Sequence, residues 1–116
     1  TNGYFEWFKI NNKSTPFFIH LPYADTIFLA GIWKYSDNNK IFSIITKPAN
    51  NELNKIHARM PILFSQNEAN LFLTNTNYQI SLNFISEIED DLDYFEVSSF
   101  VNNPKNNSKK CIQSLK

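Results

Sequence analysis

The first half of the chain is a succession of short apolar segments, each ended by a polar or proline-containing turn, and this constrains the fold more than any other feature. Alternating, aromatic and β-branched residues in these segments predict strands over 3–10, 16–21, 27–35 and 41–46. Turns this short join antiparallel neighbours, so the pattern indicates an antiparallel sheet or barrel. The fourth strand is rich in β-branched residues and is predicted to be buried.

The second half of the chain predicts short helices and one further strand. Ser65 and Glu68 have the spacing of a capping box, which predicts a helix that runs to about residue 73. The sequence therefore indicates a β-rich α+β fold, an antiparallel barrel-like sheet with a few short helices. The other predicted elements are helices over 51–56 and 78–88 and a strand over 94–101.

Composition excludes several classes of protein. At 116 residues the chain is one domain or part of one, and a formal net charge of zero lacks the signature of a general nucleic-acid binder. Cys111 is the only cysteine, which excludes an intrachain disulfide and a multi-cysteine zinc site and fits a reducing compartment. The sequence contains no membrane-span pattern, glycine-rich phosphate loop or metal-ligand spacing. We expect no cofactor, no metal and a cytoplasmic location.

Two short segments carry the candidate chemistry. Glu6 lies between Phe5 and Trp7, and His57 follows Ile56. Apolar surroundings raise the pKa of a carboxylic acid and lower that of a histidine, so both side chains would exchange protons near neutral pH.

Arg59 and Thr46 extend this candidate site. Arg59 is the only arginine among eleven basic residues, and its planar fork suits a phosphate or a carboxylate. Thr46 ends a predicted strand, where a hydroxyl faces a site or caps a turn. Simpler interpretations stay open: Glu6 as a surface residue of an edge strand, His57 as a capping or core histidine, and Arg59 in an ordinary surface salt bridge. The residues alone indicate a small β-rich domain with a Glu/His/Arg site.

The remaining ionisable residues are interpreted as structural. His20 has no acidic residue beside it, and the acidic run over 87–96 is typical of a solvated face rather than a metal site. Cys111 follows two lysines but has no local histidine, so we do not expect it to be a nucleophile.

In the segments around Glu6, Thr46, His57 and Arg59, the chain resembles the SOS response-associated peptidase (SRAP) family, the abasic-site processing proteins. Matching blocks run in order along almost the whole chain, and I-H-x-R-M-P at 56–61 is the most specific of them. The other blocks are N-G-[YF]-[YF]-E-W at 2–7, the following strand at 16–19, A-G-[IL]-W at 30–33, I-[IV]-T at 44–46 and V-S-x-x-V-N-N-x-x-N at 97–106.

The resemblance implies a barrel-like β-rich fold with a site for single-stranded DNA that carries an abasic sugar. In the family, a cysteine exposed at the mature N-terminus attacks the ring-opened aldehyde, and its amine and thiol close a thiazolidine that cross-links protein to DNA. By position, Glu6 is the implied acid/base residue, and His57 assists ring opening and proton transfer. Arg59, Thr46 and Asn2 are implied to bind DNA, Arg59 through a phosphate and Thr46 by supporting the pocket near His57.

The chain departs from the family in lacking its N-terminal Cys-Gly-Arg motif and its upstream N-A-R-x-E segment. Cys111 falls in the family's C-terminal tail and does not replace the missing nucleophile. We therefore expect residues 1–116 to form the C-terminal portion of a single SRAP-like domain, incomplete at the N-terminus, with an N-terminal piece of the domain as a partner. Sheet edges and apolar surface left uncovered predict that the chain, when it is alone, is poorly soluble or self-associates.

The implied function is abasic-site sensing and cross-linking in a bacterial DNA damage response. The family is peptidase- and lyase-like, but the lack of a nucleophile leaves open whether this chain alone is an enzyme. Two alternatives also stay open. One is a degenerate module that binds single-stranded DNA without covalent chemistry, and the other is an unrelated small hydrolase that uses Glu6 and His57 in a closed pocket.

Overall fold

A computed structural model describes residues 1–75 and 80–116. Short strands dominate it, and the one α-helix of this part of the chain, α1, spans Gln66–Thr74. Short 3-10 helices lie at Leu53–Lys55, Glu89–Asp91, Ser99–Asn102 and Lys109–Ile112. The strands are β1 (Tyr4–Ile10), β2 (Lys13–His20), β3 (Phe28–Leu29), β4 (Gly31–Ser36), β5 (Asn39–Ile44), β6 (Thr46–Pro48), β7 (Arg59–Pro61), β8 (Leu63–Phe64) and β9 (Asp93–Glu96).

The largest sheet has the order β1-β2-β9 and is antiparallel throughout. Asn11 and Asn12 form the turn between β1 and β2, with φ angles of 47° and 64°. Two consecutive positive φ angles fit the tight hairpin turn that matches strand twist, and asparagine is among the few residues that tolerate them. The predicted hairpin over residues 3–21 is therefore confirmed.

Three two-stranded pieces, β3-β8, β4-β5 and β6-β7, meet at a junction of three backbone hydrogen bonds. The N–H of Ala30 donates to the carbonyl of Ile62, that of Ile62 to Ile45, and that of Ile45 back to Ala30, each at 2.9 Å. Here the predicted strands over 27–35 and 41–46 are each divided in two, because the residue at the break bonds to a different strand from its neighbours. The sheets of the described residues stay open and do not close into a barrel.

The strands together with α1 confirm the predicted β-rich α+β class. Two apolar clusters form the core between these elements. The larger cluster lies under the β1-β2-β9 sheet, and the smaller packs beneath α1. Buried members of the larger are Ile19, Leu21, Ile27, Leu53, Ile56, Met60, Leu63 and Ile88; those of the smaller are Ala30, Ile62, Phe64 and Ala69.

Helix α1 begins at the predicted capping box. The Ser65 hydroxyl accepts the N–H of Glu68, and the Glu68 carboxylate accepts the N–H of Ser65. The same carboxylate accepts the hydroxyl of Ser86 and the N–H of Glu87, so the cap also holds the segment that follows the helix. No helix of the described residues is long and apolar enough to span a membrane.

The helix predicted over 78–88 is wrong for residues 80–88, and residues 76–79 lie outside the described part of the chain. Residues 80–88 form turns, one of which is closed by a hydrogen bond from the Phe84 N–H to the Ser81 carbonyl. The carbonyl of Phe84 accepts the Lys47 ammonium instead of a helical N–H. A tertiary bond has replaced the helical ladder that the apolar spacing suggested.

Three other elements also differ from expectation. Strand β5 is exposed at every residue, because β4 is its single partner among the described residues and nothing described covers either face. The final strand, predicted over 94–101, spans only Asp93–Glu96. Val97 then forms an isolated β-bridge with Ser114, and a 3-10 helix follows at Ser99–Asn102. The helix expected over 51–56 is a single 3-10 turn at Leu53–Lys55.

Candidate functional site

Strand β1 positions Glu6 by simple alternation. Tyr4 and Phe8 pack against the larger core cluster, so the side chain of Glu6 between them is on the same face. Phe5 and Trp7 point to the opposite face and line a cavity of about 480 Å³. The carboxylate of Glu6 is 23% exposed, so most of it is removed from water.

His57 reaches Glu6 from the loop that follows the 3-10 turn Leu53–Lys55. Its N–H donates to the Leu53 carbonyl, which fixes the backbone where the turn ends. Its Nδ1 lies 3.8 Å from Oε2 of Glu6, and the side chain is 49% exposed. The imidazole therefore touches a partly buried carboxylate and still opens to solvent.

The backbone of Arg59 provides both a donor and an acceptor for the imidazole of His57. The Arg59 N–H lies 3.2 Å from Nδ1, and the Arg59 carbonyl oxygen lies 3.0 Å from it. In the neutral ring Nδ1 accepts the Arg59 N–H when the proton is on Nε2, and it donates to the Arg59 carbonyl when the proton is on Nδ1. In the charged ring Nδ1 donates to the carbonyl and faces Glu6. Either state is accommodated without movement of the loop, as proton transfer requires.

Burial raises the pKa of Glu6 above its ordinary value. The charge of His57 and the backbone N–H of Trp7 act in the opposite direction and offset part of that rise. Glu6 is thus a carboxyl that holds its proton to higher pH than a solvated one, which favours general acid chemistry.

Arg59 opens strand β7 and is anchored through Thr46. Its Nη2 donates to the Thr46 carbonyl at 2.6 Å and to the Thr46 hydroxyl at 3.0 Å. The register makes this contact possible, because Arg59 pairs with Pro48 and Thr46 is two residues earlier on the same face. The guanidinium is held in place while the residue stays exposed, so its other N–H donors can meet an anion.

The structure brings together Glu6, His57, Arg59 and Thr46, and leaves Asn2 elsewhere. Glu6 meets His57, the His57 ring meets the backbone of Arg59, and Arg59 meets Thr46. Asn2 lines the cavity on the Phe5 side of β1, which neither Glu6 nor His57 lines. Its DNA-binding role stays a prediction.

Tyr4 is a neighbour of the site that the sequence reasoning missed. Its hydroxyl is the one buried side-chain oxygen or nitrogen of the described residues that has no hydrogen-bond partner. Burial, together with the charges of Glu6 and Glu89, raises its pKa, so it stays protonated. The alternation that put Glu6 on the core face could have identified Tyr4 on the same face.

The residues interpreted as structural have structural contacts. His20 stacks on Phe18 with ring centroids 5.7 Å apart and meets Phe95 edge-on at 5.3 Å. Cys111 is buried, and its thiol lies 3.6 Å from the Asn106 carbonyl. Within the described ranges, no three His, Cys, Asp or Glu side chains cluster as metal ligands would.

A profile of the SOS response associated peptidase (SRAP) family matches residues 1–104. The chain belongs to the SRAP family. It is similar to the abasic site processing protein YoqW of Bacillus subtilis, at 30% identity over 97% of this chain and 54% of YoqW. The abasic site processing protein YedK of Escherichia coli is 32% identical over 98% of the chain and 55% of YedK.

The fold has a solved counterpart in a crystal structure of a Bacteroides thetaiotaomicron protein. The two superpose with a TM-score of 0.82 at 22% identity, over 98% of this chain and 54% of that one. The SRAP-like fold is therefore shown. The chain spans about half the length of these curated relatives and of this solved protein. Family membership removes the interpretation as an unrelated hydrolase.

Proposed function

We propose that this chain is the C-terminal part of an SRAP domain that senses abasic sites on single-stranded DNA and cross-links to them in the DNA damage response. It supplies Glu6, His57 and Arg59, and a cysteine outside the chain supplies the nucleophile. The curated relatives are named abasic site processing proteins, which supports the substrate class. The observation that carries the proposal is the contact between Glu6 and His57 beside an anchored Arg59.

Proton transfer at two stages gives Glu6 and His57 their roles. Ring opening of the abasic sugar moves a proton from the C1′ hydroxyl to the ring oxygen, and the exposed imidazole of His57 can carry it. The cysteine amine then adds to the aldehyde to give a carbinolamine. Glu6, whose pKa is raised by burial, donates a proton to the leaving hydroxyl, and water departs to leave an imine.

Closure of the ring completes the cross-link. The cysteine thiol adds across the imine C=N bond, its sulfur bonds to carbon and its proton passes to nitrogen, which gives a thiazolidine. The whole series of reaction steps releases one water and requires no oxidant, reductant or metal. The product therefore has the summed mass of protein and oligonucleotide less one water.

Arg59 is proposed to hold a phosphate next to the reacting sugar. An exposed guanidinium fixed by Thr46 loses little conformational entropy when it meets a phosphate oxygen. Arg59 is the only arginine among the eleven basic residues, so no other residue of the chain offers a guanidinium for this task. Arg59 should then account for a visible part of the salt dependence of DNA binding.

Intact-mass spectrometry tests the proposal directly. The purified protein, together with a polypeptide that carries the N-terminal half of YoqW, is incubated with a single-stranded oligonucleotide that contains one abasic site. We expect an adduct at the summed mass less water, slowed in Glu6→Gln and unchanged in Glu52→Gln. Glu52 is an exposed carboxylate paired with Lys55 and serves as the matched control.

Two results would contradict the proposal. Equal rates for Glu6→Gln and the unsubstituted protein would remove Glu6 from the mechanism. Non-covalent binding of the oligonucleotide without any adduct would favour the alternative of a binding module without covalent chemistry.

A further inference from the structure

The hydroxyl of Tyr4 is buried next to the candidate site and has no hydrogen-bond partner. Among the side-chain oxygen and nitrogen atoms of the described residues, it is the one buried atom in this condition. A buried polar group without a partner costs free energy that a phenylalanine of the same shape would avoid. The ring packs against the larger core cluster, so packing accounts for the ring and leaves the hydroxyl unexplained.

Strand β1 places this hydroxyl close to Glu6. Tyr4 and Glu6 are two residues apart on the same face of the strand, so their Cα atoms are separated by about 6.7 Å. Aromatic and long side chains on one face of a sheet reach each other across separations of about 7–8 Å. A rotation of the flexible Glu6 side chain is therefore a short route to a hydrogen bond between the phenol and the carboxyl.

Tyr4 meets a neighbouring carboxyl as a donor. Burial, together with the negative charges of Glu6 and Glu89, raises the pKa of Tyr4, so its phenol keeps its proton at neutral pH. A hydroxyl that donates to an ionised carboxylate makes a charge-assisted hydrogen bond, which is shorter and stronger than a bond to a neutral carboxyl. The Tyr4 hydroxyl thus gains most when a carboxyl beside it loses its proton.

Of the two carboxyls that act on Tyr4, Glu6 has the greater need of a donor. Oε1 of Glu89 already accepts the Lys47 ammonium at 2.5 Å and a backbone N–H at 3.2 Å. Glu6 accepts the backbone N–H of Trp7, and its Oε2 lies 3.8 Å from Nδ1 of His57, which is beyond hydrogen-bond distance. An ionised Glu6 is therefore the carboxylate that lacks a close side-chain donor.

The other ionisable groups on this face of the sheet lie farther from Glu6. Glu6 pairs with Phe17 on β2 and Phe17 pairs with Glu96 on β9, so Glu96 shares the face at two strand spacings, about 10 Å away. Glu96 is exposed, and water and salt screen its charge. The ionisable groups to consider around Glu6 are Tyr4, His57, Lys47, Glu89, Tyr94 and Glu96.

We propose that Tyr4 is a positioning residue of the site, and that its hydroxyl donates a hydrogen bond to the Glu6 carboxylate once Glu6 has lost its proton. The inference rests on the proposed function, in which Glu6 gives its proton to the leaving hydroxyl. While Glu6 keeps its proton, the phenol stands without a partner, as in the structure. After the transfer the phenol orients and stabilises the anion, so Glu6 releases its proton more readily than burial alone would allow.

The titration of Glu6 in the 116-residue chain tests this role without DNA and without the cysteine. Tyr4→Phe keeps the ring and removes the hydroxyl, so the pKa of the Glu6 carboxyl, followed by carbon-detected NMR, should rise by about one unit or more. Tyr94→Phe is the matched control, since Tyr94 also packs against the larger core cluster but β2 separates its strand from β1. This control should leave the titration of Glu6 unchanged.

A cycle of single and double variants keeps the test valid if Tyr4→Phe also alters packing. Loss of the hydroxyl should lower the melting temperature increasingly as the pH rises above 4.5, the ordinary pKa of the carboxyl, because the folded protein then loses a bond to the anion. This pH dependence should vanish when Glu6→Gln is also present. A hydroxyl with a purely structural role would give the same difference at every pH and in both backgrounds.

Three outcomes would overturn the inference. These are an unchanged pKa of Glu6 in Tyr4→Phe, an equal change in Tyr94→Phe, and a melting difference that depends neither on pH nor on Glu6. The first of them would assign the hydroxyl to a buried water or to Glu89. A shifted pKa in a protein that forms no cross-link would refute the proposed function and leave the contact between Tyr4 and Glu6 standing, so the two failures are distinguishable.

Discussion

Under the proposed function, Glu6 and His57 divide a proton-transfer task between two residues that are far apart in sequence. Glu6 is partly buried, and burial raises the pKa of its carboxyl, whereas the side chain of His57 is half exposed. The backbone of Arg59 accepts or donates to His57 in either protonation state. In this proposal the Glu6 carboxyl is the partly buried acid, and the solvent-accessible imidazole of His57 carries the proton.

The raised pKa of Glu6 predicts a pH-dependent stability difference. The folded protein binds this proton more tightly than the unfolded chain, so the stabilisation is full at low pH. It is lost as pH rises from the ordinary value of 4.5 through the raised value. Glu6→Gln cannot ionise, so its melting temperature should rise relative to that of the unsubstituted protein as the pH increases above the ordinary value of 4.5. Thermal melts of both proteins, with Glu52→Gln as control, measure this, and a difference that falls with pH would contradict it.

Arg59→Gln should weaken binding of single-stranded DNA and flatten its salt dependence. Removal of one phosphate contact lowers the slope of log K against log salt by about 0.7 for a single strand. Fluorescence anisotropy over a salt series measures the slope. Lys55→Gln is the control, because Lys55 is exposed and already paired with Glu52. An unchanged slope for Arg59→Gln would exclude the phosphate contact.

Much of the candidate site was predictable because local sequence specifies it. Arg59 and His57 are two residues apart, and the alternation of β1 puts Glu6 on the core face. Family resemblance supplied the link between these segments, which spacing alone does not give. Lys47 was not predictable, since a lysine before Pro48 is typical of a turn and its buried partner Glu89 is 42 residues away.

At the scale of elements, the cap of α1 joins two parts of the chain. Glu68 accepts hydrogen bonds from its own helix start and from Ser86 and Glu87 beyond the helix. Burial alone would raise the pKa of Glu68, but the hydrogen bonds from Ser86, Ser65 and Glu87 outweigh it and lower the pKa. Stability from this group is present above its ordinary pKa and is lost as pH falls through the lowered value.

Ser65→Ala should destabilise the protein by about 1 kcal/mol, because the Glu68 N–H loses its acceptor at the helix start. Urea denaturation measures the change as a shift in midpoint with an unchanged slope. Ser108→Ala is a matched control, since Ser108 precedes a 3-10 helix without a side-chain cap. Equal effects of the two substitutions would contradict the capping role.

The β1-β2 and β4-β5 turns contain asparagines whose backbone has a positive φ, and glycine at such a position is expected to be stabilising. Asn38, in the β4-β5 turn, has a φ of 65°. Asn38→Gly should stabilise or be neutral within a few tenths of a kcal/mol, and Asn38→Ala should destabilise by about 1 kcal/mol, because alanine pays the full cost of this conformation. Chemical denaturation of both variants provides the measurement. If Asn38→Ala is as stable as Asn38→Gly, the positive φ carries no strain.

Sequence patterns correctly predicted the elements whose hydrogen bonds join residues that are close in sequence. The β1-β2 hairpin and the capping box depend on neighbours in sequence, and both are confirmed. The helix expected over 78–88 fails in its described part because Lys47 takes the Phe84 carbonyl. The expected burial of β5 fails because it depends on what lies over the strand, and a β-branched composition does not report that.

At the scale of the whole molecule, Lys47 and Glu89 form a buried ion pair that joins β6 to the acidic run over 87–96. Their charged atoms lie 2.5 Å apart, with side chains 6% and 3% exposed. Glu89 also accepts the N–H of Ser86, and Lys47 also binds the Phe84 carbonyl. The pair thus holds the segment that replaces the expected helix.

Lys47→Met should destabilise the fold by roughly 3–5 kcal/mol, because it leaves the Glu89 charge buried without its partner. The double variant Lys47→Met with Glu89→Leu should recover much of this loss, since neither charge then needs solvation. Equilibrium denaturation of the single and double variants gives the coupling. A single variant close to the unsubstituted protein in stability would show that the pair is solvated in solution.

The backbone junction of Ala30, Ile45 and Ile62 has a mechanical consequence. These three residues lie between the strands and hydrogen-bond to one another, so the junction ties the three two-stranded pieces together. The projecting hairpin can fray from its tip at Asp37 and Asn38 without loosening Thr46, because Ile45 lies between them and is clamped from two sides. The junction thereby separates the anchor of Arg59 from the tip of the hairpin.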